Sequence, residues 1–281
     1  MKSFSLNRFR KVLCWNFGIN RRSLMMWTIG YSIAVFLGEM MYFHISKHHD
    51  AESTLNNIVQ FCVIFIMIAL GVGFSTIFYD MNKKPRRQAF LMLPASNLEK
   101  FLSVFVYYTV GWTLCVFLSY AAGDTLRMVV RSLAYGDPWI SSIPMFLDSI
   151  NPGFGNDYFH KHTLTFQAMS ITVVTTFFVW LHSLYILGGT LLRKYAFVIV
   201  SVFFILCIML FAGFMKHYSV SMFYSNWVGD HYERQYVGTI AYVLVVVLSL
   251  LSCFNYWASF HIFKHFELIS NKWTNYDLFK R

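Results

Sequence analysis

Few residues in this chain combine the type and the spacing that chemistry requires. His261 and His265 stand at i and i+4, which would put two imidazoles on one helical face. Between them lie Ile262-Phe263-Lys264, with no glutamate to act as the base of an HExxH site. His44, His48, His49 and Asp50 crowd one short stretch and are chemically able to ligate a divalent cation, but a solvated loop is the expected reading. Gly188-Gly189 precedes Arg193-Lys194 without the spacing of GxxxxGK[ST], and apolar runs flank it, so this chain is not expected to hydrolyse ATP by itself. Cys14, Cys62, Cys115, Cys207 and Cys253 form no CxxC pair, and four of them sit in apolar runs, where packing is their expected role. No catalytic residue, metal ligand or cofactor is assigned, and the chain is not read as an enzyme.

The remaining candidates lie inside long apolar stretches. These hold one carboxylate, Glu39, and one histidine near mid-run, His182, together with the amides Gln60 and Asn255. A membrane-embedded hydrolase needs convergent polar groups, and a lone carboxylate does not supply them. Glu39 is expected to reach the outer headgroups. Its other reading is that it faces a translocation path or a subunit interface. His182 and Asn255 are read first as packing residues and second as path-lining ones.

The elements that carry these residues follow from composition. Of 281 residues, 57% are hydrophobic and 13% charged, against about 25% charged in a soluble domain. Six runs are long enough to span a bilayer, at about 24–45, 57–79, 101–122, 164–190, 195–215 and 236–263. All five prolines fall outside them. The first run begins after Arg22, is too long for a signal-peptide core and lacks a small-residue cleavage site, so it is expected to remain as a span. The fold class is therefore all-α, a single polytopic transmembrane domain over residues 1–281.

The net charge of +10 is spread around the apolar runs and makes no separate basic domain, which argues for the membrane surface and against nucleic acid. With the N-terminus inside, inner segments carry seventeen Lys and Arg and outer segments six, including Arg127 and Arg131 in a turn-rich outer loop at 123–163. Both termini are expected in the cytoplasm. In that loop Met128-Val129-Val130 suggests a short interfacial helix. Leu6, Phe9, Leu13 and Phe17 recur at helical spacing beside Arg8, Arg10 and Lys11, which predicts an amphipathic helix over 1–22 lying in the inner interface. Trp27 and Trp112 are among the tryptophans near span ends, where interface anchors sit.

The stretch KKPRRQAFLMLPASNLEK, residues 83–100, opens with four cations and turns apolar before a proline. Ser96-Asn97-Leu98-Glu99 has capping-box spacing and is expected to start the third span. Between Pro85 and Pro94 there is room for two helical turns. Phe90, Leu91 and Leu93 would form its apolar side, with Arg86 and Arg87 leading in. Two readings stand open, a knob for a soluble partner and a fold-back into the lipid interface.

FLMLPASNLEKFLS resembles the segment between the second and third spans in membrane subunits of type-2 ATP-binding-cassette exporters. LHSLYILGGTLLRKYAFV, residues 181–198, is similar to the Gly-Gly turn and basic cluster between spans four and five of small bacterial permeases of that kind. The resemblance implies a permease in the bacterial cytoplasmic membrane, exporting an amphipathic or hydrophobic substrate. It implies a separate ATPase subunit as partner, contacted by a coupling helix at about Arg86–Pro94 through Phe90, Leu91 and Leu93, and a second permease copy. The sequence departs from the family between spans five and six, where a re-entrant hairpin is usual and only a short gap remains. The alternative is a polytopic scaffold or sensor without an ATPase.

Overall fold

The computed structural model describes residues 4–45, 51–82, 84–150, 164–192, 194–218, 221–227 and 233–266. Eight α-helices are described: α1 (Leu6–Ile45), α2 (Ala51–Ser75), α3 (Lys84–Leu91), α4 (Asn97–Tyr135), α5 (Ile143–Ile150), α6 (Leu164–Leu191), α7 (Ala196–His217) and α8 (Thr239–Lys264). Six of them, all but α3 and α5, are long and apolar enough to cross a membrane. A two-stranded antiparallel hairpin, β1 (Phe223–Trp227) with β2 (Glu233–Val237), joins α7 to α8 and pairs Ser225 with Gln235 at its centre. It occupies the gap in which the family's re-entrant hairpin was missed.

Two compact units divide the chain. The first comprises residues 1–73 and 93–152. Its frame is α1 and α4, which run parallel. Contacts climb both helices in step, from Ser5 on Glu99, through Asn16 on Ser103 and Thr28 on Ser119, to Glu39 on Arg127. Gly123 permits the closest approach, because a Cβ there would lie 2.8 Å from Val35 Cβ and 2.9 Å from the Ser32 carbonyl oxygen. Ile58, Val59, Cys62 and Ile66 of α2 pack against Val35, Trp112, Val116 and Tyr120. The second unit comprises residues 74–92 and 153–281, in which α6 and α8 pack along one another.

The first helix corrects the expected division at Arg22. Residues 6–45 form one helix of 40 residues, about 60 Å long, with no break between an interfacial segment and a span. Its large exposed apolar side chains become continuous only from Met25 to Ile45, about 30 Å, the thickness of a hydrocarbon core. The half before Met25 carries Arg8, Arg10, Lys11, Arg21 and Arg22 and is clasped to the start of α4. The third span is likewise longer than its apolar run. It begins at Asn97 with the full capping box, in which Ser96 Oγ accepts from the Glu99 amide and Glu99 accepts from the Ser96 amide, and it ends at Tyr135 on left-handed Gly136. Residues 123–135 are therefore helix and not outer loop, and Met128–Val130 belong to α4. One turn of π-helix, Tyr107–Trp112, interrupts it.

Gly188 and Gly189 are helical residues of α6, not a turn. A Cβ on Gly188 would lie 2.1 Å from Val200 of α7, and one on Gly189 would lie 2.5 Å from the Ser75 carbonyl. The reversal comes later, at Tyr195 with φ 57°. Trp112 is not an interface anchor but a buried residue, whose indole N–H donates to the Ala69 carbonyl at 3.0 Å.

Candidate functional site

Glu39 lies on α1 about 20 Å beyond Met25 and about 9 Å short of Ile45, inside the apolar belt, and its side chain is fully buried. The expectation that it reaches the headgroups is overturned. Its Oε2 accepts from Arg127 Nε at 3.0 Å. Arg127 stands one turn after Asp124 on α4, and its Nε lies 3.2 Å from Asp124 Oδ1. The same guanidinium also donates to the Ile140 carbonyl at 2.9 Å. Asp124 in turn holds the segment that leads into α5. It accepts from Ser141 Oγ at 2.6 Å, from Ser142 Oγ at 2.9 Å and from the Ser142 amide at 3.2 Å. Tyr120 and Ser142 hydroxyls meet at 2.7 Å, and Cys62 Sγ of α2 approaches Glu39 Oε1 at 3.6 Å.

The result is a buried network joining α1, α2, α4 and the entry to α5. Its charges are two carboxylates and one guanidinium. Arg131, one turn on, pairs with Asp137 and lies over the Phe43 ring at 3.9 Å, so it is directed away from Glu39. A second carboxylate therefore does stand beside Glu39, contrary to the reading of a lone acid. Both acids are enclosed, and each accepts from Arg127, an arrangement that fastens α1 to α4.

In the second unit His182 and Asn255 are neighbours across α6 and α8. His182 Nδ1 lies 2.7 Å from Tyr256 Oη, and Asn255 Nδ2 donates to Ser183 Oγ at 3.0 Å. The His182 ring also meets Phe74 edge-on at 4.4 Å. Two polar pairs thus bind α6 to α8 within apolar surroundings. Each pair holds one residue of α6 against one of α8.

The helix expected between Pro85 and Pro94 is α3. Phe90 does not stand out from it. The side chain is 1% exposed, with its ring 6.3 Å from that of Phe263, which itself stacks on Phe78 at 5.3 Å. Arg87 is also buried and sits over Phe266 at 5.2 Å. Phe90 and Arg87 therefore face their own unit and are not outward contacts. Leu91 and Leu93 are half-buried, while Arg86, Gln88 and Ala89 are exposed and Met92 is 79% exposed. Neither the knob nor the lipid fold-back describes this geometry. One side of α3 is bolted to the end of α8, and the other is open.

The His261 and His265 rings lie 4.7 Å apart, tilted by 46°, at the C-terminal end of α8, while His48, His49 and Asp50 lie outside the described residues. Among the described residues no group of three or more His, Cys, Asp or Glu is placed to hold a metal ion. Comparison with protein-family profiles, curated proteins and solved structures gives no match.

Proposed function

We propose that this chain is the membrane subunit of an ATP-binding-cassette exporter, driven by a separate ATPase and working with a second permease copy. The observation that supports the reading is the two-sided α3. An element that carries force from a soluble motor into a membrane helix needs one side anchored to that helix and another side exposed. Phe90 and Arg87 supply the anchor on Phe263 and Phe266, and Arg86, Gln88 and Met92 supply the open side. Anchoring by Phe90 also changes which variant tests the idea, since its removal would loosen α3 whether or not a partner exists.

The test is co-expression with the ATPase encoded by an adjacent reading frame that carries GxxxxGK[ST]. Gln88→Glu with Met92→Ala, both at exposed positions, should leave thermal stability unchanged and weaken ATPase binding by roughly thirtyfold, the effect of losing an anchor worth about 2 kcal/mol. Undiminished co-purification and undiminished stimulated ATP turnover in that variant would remove α3 as the coupling element. The substrate is read only as far as the aromatic, apolar spans reach, to an amphipathic or hydrophobic molecule.

A further inference from the structure

The network around Glu39 leaves its Oε1 with only long contacts to donors. Ser142 Oγ bears a single proton and touches three oxygens, those of Tyr120 at 2.7 Å, Asp124 at 2.9 Å and Glu39 Oε1 at 3.5 Å. The Tyr120 hydroxyl is enclosed and, among the described residues, meets Ser142 Oγ alone, so we assign it as the donor of that bond. Ser142 gives its own proton to the nearer carboxylate, Asp124. That leaves Glu39 Oε1 facing a Ser142 lone pair, with the weakly donating Cys62 thiol at 3.6 Å as its other neighbour. Glu39 Oε1 then meets a second acceptor with only a weak thiol donor beside it, in a fully buried place, which is costly unless one of the two oxygens carries a further hydrogen.

The charge balance points to the same atom. Among the described residues, the titratable and charged groups facing Glu39 are Cys62 from α2 and Tyr120, Asp124 and Arg127 from α4, while the entry to α5 brings only Ser142. With both carboxylates ionised, one guanidinium leaves a net negative charge where insertion of even one charge is expensive. Asp124 is well solvated by the protein, with two hydroxyls, an amide and Arg127 around it. Glu39 Oε1 is not.

We propose that the Glu39 carboxyl is a proton-binding site, holding a proton on Oε1 that is donated to Ser142 Oγ and leaves the Glu39–Asp124–Arg127 group neutral. Nothing is transferred or oxidised. The proton is taken from water and returned to it, and its loss would leave the Glu39 contacts to Ser142 and Cys62 as the weakest in the network. The link from α1 to α2 and to the α5 entry is thereby made to depend on proton occupancy. This does not rest on the exporter reading.

Infrared difference spectroscopy of the full-length protein in lipid nanodiscs at neutral pH tests it. The expected result is the carbonyl band of a protonated carboxylic acid that moves when glutamate carboxyl carbons are 13C-labelled, does not move with aspartate labelling, and disappears in Glu39→Gln. No such band, or a band that follows aspartate labelling, would overturn the proposal. Should Glu39→Gln fail to accumulate, the labelling of the unaltered protein still decides.

Discussion

Glu39 could be singled out from the sequence, but its partners could not, and the reason is instructive. A hydropathy window ends at the first charges it meets, so Asp124 and Arg127 were assigned to a loop. The helix runs on past them because their charges are satisfied by Glu39, Ser141, Ser142 and the Ile140 carbonyl. Only three-dimensional proximity reveals that. Arg127→Met should be the most damaging change in this network. It removes the guanidinium that both enclosed acids contact, and breaking a buried pair this way typically costs about 3–5 kcal/mol. Glu39→Gln, which keeps the shape and removes no cation, should cost much less. Thermal unfolding in detergent should rank them in that order. At the other end of α1, Glu99 was legible as a capping residue, yet it does more. It also accepts from the Ser5 amide at 2.7 Å and pairs with Arg8 at 3.0 Å. Because Arg8 remains 32% exposed, a double-mutant cycle of Arg8→Ala and Glu99→Gln should return a coupling of only about 1 kcal/mol, and a value indistinguishable from zero would deny the clasp.

At the scale of the element, α3 was expected in place and length, because its bounding prolines and the Ser96 cap are local signals. The direction of Phe90 was not legible. An eight-residue helix with a short apolar stripe looks the same whether that stripe meets a partner, lipid or the chain's own last helix. Phe90→Ala should lower the stability of the second unit by about 3–5 kcal/mol, as large-to-small changes at enclosed aromatics do, whereas Met92→Ala should change it by less than about 0.5 kcal/mol. Equal effects in a melting experiment would contradict the two-sided assignment. The fusion of the amphipathic segment with the first span was hidden by Arg21 and Arg22, which read as a boundary. Helix propensity does not stop at arginine, and both side chains are exposed on a helix that continues through them.

For the molecule as a whole, six helices of spanning length were legible because apolar runs of that length have few other uses. The hairpin β1–β2 was not, being only five residues a side in a short gap. Arg127, counted with the outer segments in the expected orientation, lies in a buried network, and the orientation itself is open to direct measurement. Cysteine probes placed by Met92→Cys and Tyr135→Cys, both at exposed positions, check it in a background with exposed Cys14 and Cys253 replaced by serine. A membrane-impermeant maleimide applied to intact cells should reach position 135 and not position 92. The reverse pattern would invert the topology, with the helices themselves unchanged.

The π turn at Tyr107–Trp112 bears on how this chain tolerates changes in its own length. Its wider winding takes up an additional residue, so the parts of α4 on either side keep the rotational phase that sets Glu99 against Arg8 below and Arg127 against Glu39 above. Deleting Val110, which is exposed, lets that turn tighten into ordinary α-helix with both flanks still in phase. Deleting one residue from the regular stretch between Thr113 and Gly123 instead rotates everything beyond it by about 100°, carrying Arg127 off Glu39. Of single-residue deletions in this helix, those within the wide turn should be the ones that leave a folded, membrane-inserted protein.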